Sequence, residues 1–264
     1  MNKSNLKNTI VLIGPKAVGK TFISTKLSEQ TGMSVISSDL LTSLLVLDSS
    51  SLTASDFPNE LKQDNERYRK IFNFKELSHF VIEIAKIYQN ENLSEKAKKL
   101  TMQYWKTRLL EEAISQLDKP VILDLGADIG AVYDLNQQEK KDAEYQMFFS
   151  ESVISSRQSN FLKQFENVFY LKPSKDYFLS KNERILNEDN QTYLENPNSY
   201  SSFATQEIST DKLFSKEKYK LTEIELEKLQ KTERAKLVNS NEIDNITSKI
   251  LTTMNFSENG PTIL

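Results

Sequence analysis

The chain has 264 residues, 38% of them apolar, and 34 basic residues stand against 37 acidic ones for a net charge of −3. That length buries one sizeable core without staples, and the near-balanced charge argues against a general nucleic-acid coat or a polybasic membrane anchor. Cysteine is absent, which excludes disulfides, thiol nucleophiles and thiolate metal sites and suits a reducing, cytoplasmic setting.

Residues 9–13 form a short, β-branched apolar run, the pattern of a buried strand. It begins too early to leave room for a secretory leader, and no apolar run approaches the roughly 20 residues of a bilayer span. After a glycine loop, residues 20–30 read as a helix with Phe22, Ile23 and Leu27 near one face, stopped at Thr31 and Gly32. Residues 34–37 read as a second strand ending just before Asp39. A leucine-rich helix or buried turn over 40–47 leads into a Ser/Thr/Asp/Pro loop over 49–58. Helical patterning runs over 61–88 with an interruption near Asn73, and Ser94 and Glu95 open a helix reaching Leu117.

Residues 120–126 give the next strong strand signal, with Pro120 at its start, where a missing N–H is harmless. Gly126 and Gly130 then demand a tight turn. Polar helical spacing over 142–164 precedes a strand over 167–171 and a helix over 173–188 that carries Arg184. Residues 187–210 read as a loop or lid, 221–233 as a charged helix, 236–238 as a last strand and 242–254 as a terminal helix. We expect a single domain over 1–254, with a helical insertion at about 50–118, a lid or insertion at about 175–220 and a tail over 255–264.

The glycine loop reads Gly14, Pro15, Lys16, Ala17, Val18, Gly19, Lys20, Thr21, which is G-x-x-x-x-G-K-T between a strand and a helix. Such a loop aims backbone N–H groups at phosphate from a helix N-terminus. Gly14 lets the chain leave the strand sharply, and Gly19 allows close backbone approach. Lys20 is expected at the β- and γ-phosphates, and the Thr21 hydroxyl at Mg²⁺. A nucleoside triphosphate with Mg²⁺ is therefore expected, and the lack of a clear N-K-x-D guanine-reading motif favours ATP over GTP.

Asp124 ends the apolar run of the third strand and has two readings: a partner for Mg²⁺-bound water, or a cap on the turn before Gly126. Asp39 likewise has two, a base or orienter for an acceptor hydroxyl, or the N-cap of the following helix. Arg184 is the candidate for a lid role and Arg69 for acceptor binding, against the ordinary surface ion pairs that Arg67, Arg69, Arg157 and Arg184 also suit. His79, the lone histidine, reads as a packing or surface residue, since one imidazole makes no histidine metal cluster.

This succession of landmarks resembles the P-loop small-molecule kinases of the shikimate kinase-like group, and more distantly the zeta-toxin-like kinases. The strand and loop over 10–21 resemble the group's nucleotide loop. Residues 34–39 resemble its second strand, which ends in a D-x-D pair: Asp39 keeps the second acid, which binds acceptor hydroxyls in the group, and Ser37 stands at the first. Residues 121–127 resemble the strand entering its triple-glycine acceptor loop, of which Gly126 is kept, followed by Ala127 and Asp128. The arginine-proline lid motif has no counterpart after Arg184. The resemblance implies an α/β, three-layer P-loop NTPase fold with a mainly parallel central sheet and helical insertions, and a substrate-binding part for Gly126.

The expected activity is ATP- and Mg²⁺-dependent phosphoryl transfer to a hydroxyl of a small metabolite, without nucleic-acid or membrane partners. Two alternatives stand beside it, a nucleotide-dependent hydrolase or switch acting on a protein, and a degenerate nucleotide-binding regulator. The pattern sets no oligomeric state.

Overall fold

The computed structural model describes residues 3–14, 19–49, 59–125, 137–138, 141, 157–158, 160–173, 221–226 and 240–254. In chain order these form α1 (Lys3–Asn8), β1 (Ile10–Ile13), α2 (Lys20–Thr31), β2 (Val35–Ser37), α3 (Ser38–Ser49) and α4 (Asn59–Ile71). There follow α5 (Phe74–Tyr88), α6 (Glu95–Ser115), β3 (Ile122–Asp124), β4 (Asn167–Pro173), β5 (Leu221–Leu226) and α7 (Ser240–Thr253).

The strands make one sheet in the order β2-β3-β1-β4-β5, and every pairing is parallel. β1 sits in the middle, with Ile10 opposite both Ile122 and Asn167. Its four residues are fully buried, as expected for a parallel strand covered on both faces.

Alternation of side chains along the strands sorts the core into two layers. Ile10, Leu12, Ile122, Phe169 and Leu171 meet Ile23 and Leu27 of α2 and Ile246 and Ile250 of α7. Val11, Ile13, Ile36, Leu123, Val168 and Tyr170 face the other way, onto α3, α4, α5 and α6. The architecture is thus three-layered α/β. Among the described residues, no helix is long and apolar enough to cross a membrane.

Helix boundaries follow local chemistry. Ser94 caps α6, its side chain accepting from the Ala97 N–H at 3.2 Å. The interruption near Asn73 is the break between α4 and α5, where the Asn73 N–H donates to Gln116 Oε1 at 2.8 Å. On α5, Phe74, Leu77, Phe80, Val81, Ile84 and Ile87 give the three-and-four spacing of a buried stripe.

One element differs in kind from the sequence expectation. Residues 221–233 read as a charged helix, yet Leu221–Leu226 is a strand paired with β4, Leu171 opposite Ile224. Glu, Leu and Lys favour helix locally, but that preference is small, and the ladder offered by the β4 edge outweighs it. The short helix α1 was also not anticipated. The expected strand at 236–238, the 187–210 loop, the whole 175–220 lid or insertion and the 255–264 tail lie outside the described residues.

Candidate functional site

The strand order turns around beside β1. The chain leaves β1 towards β2 on one side, and from β3 crosses to β4 on the other. Crevices outside the carboxyl ends of parallel strands at such a reversal are where open α/β sheets bind ligands. Gly14, Ser37 and Asp124 all stand at those carboxyl ends.

Gly14 has φ 149° and Gly19 φ 92°, backbone conformations that a Cβ disfavours. Gly19 directly precedes α2 and offers no side-chain cap, so its own side chain satisfies none of the first-turn N–H groups of α2. Lys20 is 8% exposed. Its Nζ donates to the Gly14 carbonyl at 2.9 Å. Pro15, Lys16, Ala17 and Val18 lie outside the described residues.

Thr21 Oγ1 donates to Asp124 Oδ2 at 3.0 Å, so the loop and β3 meet through side chains. Asp124 is 5% exposed. Burial pushes its carboxyl above the ordinary value and Asp39 adds to that, while Lys20 and the Thr21 hydrogen bond oppose it. Asp124 is thus bonded to the start of α2, and the turn that it was expected to cap lies outside the described residues.

The β2–α3 corner resolves the two readings of Asp39 in part. Ser37 Oγ accepts from the Leu40 N–H at 3.3 Å, so Ser37 supplies the side-chain cap of α3. Asp39 lies in the first turn of α3, its side chain 66% exposed, and Lys106 Nζ of α6 approaches its Oδ1 at 3.9 Å. The Ser37 N–H donates to Tyr68 Oη at 2.8 Å. Tyr68 is fully buried, and burial pushes its hydroxyl up to about 12.

The arginines fall elsewhere. Arg69 pairs with Asp48, and its guanidinium lies 5.0 Å from the Phe74 ring. Asp48 is nine residues beyond Asp39 on α3, about 13 Å along the helix, so this pairing sets Arg69 apart from Asp39. Arg67 pairs with Asp64. Arg157 pairs with Glu111, its guanidinium 5.3 Å from the Tyr104 ring. His79 is exposed, bonded to the Glu76 carbonyl at 2.7 Å and set against Phe80. Phe22, expected on the apolar face of its helix, is 53% exposed. Arg184 and Gly126 lie outside the described residues.

Two site residues were missed from the sequence, Lys106 and Tyr68. Both sit in helices where they look like ordinary surface and core positions. The available signal was the polar run Gln103, Lys106 and Thr107 interrupting the inward face of α6. Among the described residues, no group of three or more His, Asp or Glu side chains could hold a metal ion. What remains is a buried ammonium, a hydroxyl and a buried carboxylate in one network, with a second carboxylate at the rim. Neither protein-family models nor characterised proteins give a match to this chain.

Proposed function

We propose that the protein adopts a P-loop NTPase fold and transfers the γ-phosphoryl group of ATP, with Mg²⁺, to a hydroxyl of a small metabolite. The reading is carried by the Thr21–Asp124 hydrogen bond, which couples the G-x-x-x-x-G-K-T loop to the end of β3. A chance copy of the motif has no reason to make that contact.

On this reading the first-turn N–H groups of α2 and the Lys20 ammonium bind the β- and γ-phosphate oxygens. Lys20 exchanges its hydrogen bond to the Gly14 carbonyl for one to phosphate. Asp39 accepts the hydrogen bond of the acceptor hydroxyl, aligns its oxygen with the γ-phosphorus and takes the proton as the new O–P bond forms and the bond to the β-phosphate oxygen breaks.

The donor set fits Mg²⁺. Thr21 Oγ1 and Asp124 Oδ2 are hard oxygens side by side, and they would hold the ion, Thr21 directly and Asp124 through a bound water. When bound, the ion supplies neutralisation of phosphate charge. Asp124 is the carboxylate that gains most from it, because burial penalises its ionised form in the free protein.

The test is a ³¹P or mass-shift screen of metabolites with ATP and Mg²⁺, using Lys20→Ala as the blank. A phosphorylated product made by the wild type and absent from the blank is expected. Equal product in both, or no ATP binding by the wild type, overturns the reading.

A further inference from the structure

We propose that Phe22 is the platform on which the base of the bound nucleotide stacks. The proposal rests on the reading of the glycine loop as a triphosphate site and extends it to the nucleoside end of the donor.

Phe22 is more than half exposed on a helix whose Ile23 and Leu27 are buried in the core. Single apolar side chains at a surface are ordinary, and among the described residues Val46 on α3 and Ile82 and Tyr88 on α5 are exposed too. Phe22 is set apart by its place, one residue after Thr21 in the first turn of α2. The hydrogen-bond ladder of α2 starts with the Ile23 N–H, which donates to the Gly19 carbonyl at 3.1 Å. The Phe22 N–H comes before that bond, at the end of a helix that suits phosphate oxygens. One residue thus offers a backbone donor to the phosphate chain and an aromatic ring to whatever that chain carries.

The contacts on either side of α2 give the direction of the nucleotide. Thr21 turns to β3, where its hydroxyl meets Asp124, and Asp39 stands beyond in the first turn of α3. These groups mark the γ-phosphate end. Phe22 projects about 100° further round the helix. Lys26 lies one turn on along the same stripe, and its Nζ reaches Asp244 of α7 at 3.4 Å. The stripe that carries Phe22 is therefore turned towards α7 and away from Asp124. A triphosphate whose γ end lies by Thr21 and Asp124 brings its nucleoside out on that side.

The neighbouring hydroxyls are engaged within the helix. Ser24 Oγ and Thr25 Oγ1 both donate to the Thr21 carbonyl, at 2.9 Å and 2.8 Å. What this turn of α2 presents to a base is an aromatic face, and stacking on it uses the π-system that every base carries. The stack also removes apolar surface from water on both partners.

The experiment separates the two ends of the ligand. The full chain is titrated calorimetrically with ATP and with inorganic tripolyphosphate, each with Mg²⁺; tripolyphosphate has the phosphate chain and no base. Phe22→Ala and Phe22→Leu should each weaken ATP by about tenfold, the order of a base–aromatic stack, and leave tripolyphosphate unchanged. Phe22→Leu keeps apolar bulk without a π-face, and Phe22→Tyr, which keeps the face, should bind both ligands as the wild type does. Unchanged ATP affinity in Phe22→Ala, an equal loss of ATP and tripolyphosphate, or full ATP affinity in Phe22→Leu overturns the proposal while the loop reading stands. A wild type that binds neither ligand overturns the loop reading and the proposal with it.

Discussion

Thr21 Oγ1 and Asp124 Oδ2 are joined by a 3.0 Å hydrogen bond across 103 positions of sequence. Lys20 lies one residue from this bond and Asp39 is close enough to act on Asp124 electrostatically. The site is thus a set of charges that sense one another, and single substitutions in it have separable effects.

Lys20→Ala should fold as the wild type does and lose ATP. The ammonium contacts the Gly14 carbonyl in the free protein, a bond worth little net stability, whereas it is proposed to meet two phosphates in the complex. Calorimetric titration should show affinity weakened by about a hundredfold, the order of two charge-assisted bonds. Undiminished affinity would count against the loop as a phosphate site.

Asp39→Asn should bind ATP normally and lose turnover by roughly a hundredfold or more, the scale of general base catalysis. Asp39 is exposed at the rim, so the fold does not depend on its charge. Arg69→Ala serves as the contrast. Its partner is Asp48, and single-turnover rates should be unchanged.

Asp124→Asn should leave the nucleotide-free protein as stable as the wild type or more so at neutral pH, while phosphoryl transfer falls. The folded-state value of Asp124 is raised, mainly by burial, so the folded protein binds the proton more tightly than the unfolded chain. Its contribution to stability is present at and below the ordinary carboxylate value and is lost as pH rises through the raised one. Urea denaturation of both proteins from pH 4 to 8 should show the variant gaining on the wild type as pH rises. The opposite trend would show that Lys20 and Thr21 outweigh burial.

Tyr68→Phe should cost about 1–2 kcal/mol, because the Ser37 N–H loses its acceptor while the ring is kept. Burial raises the Tyr68 hydroxyl from 10.0 to about 12, so stability from this group is intact below pH 10 and is lost as pH rises through 12. Chemical denaturation at pH 8 and pH 11 should show a smaller alkaline loss in Tyr68→Phe than in the wild type.

The loop and its two flanking elements were legible because their signals are local. An apolar run of β-branched residues, a glycine at each bend and a helix-compatible stretch lie within about twenty residues, and β1 and α2 followed. Asp124 was legible as the polar end of a buried strand. What the pattern could not supply was the reach of α4 and α6 back over the sheet edge. Tyr68 and Lys106 become site residues through helix packing, which no neighbour in sequence encodes. Arg69 lies on the same helix as Tyr68 and is paired with Asp48, the surface ion pair that its sequence position also suited. β5 was misread because its composition speaks for helix, and its partner β4 lies some fifty residues earlier.

The sheet order has a consequence for how such a protein can change. The groups proposed to hold phosphate come from the 14–21 loop and the tip of β3, while Asp39, Tyr68 and Lys106 come from the excursion between β2 and β3. That excursion leaves the carboxyl end of β2 and returns to the amino end of the adjacent parallel strand β3, where Ile122 lies opposite Val35. Its two joins lie on neighbouring strands, so it can be exchanged as a cassette between β2 and β3. Divergence within it can retune what is chosen without disturbing how energy is delivered.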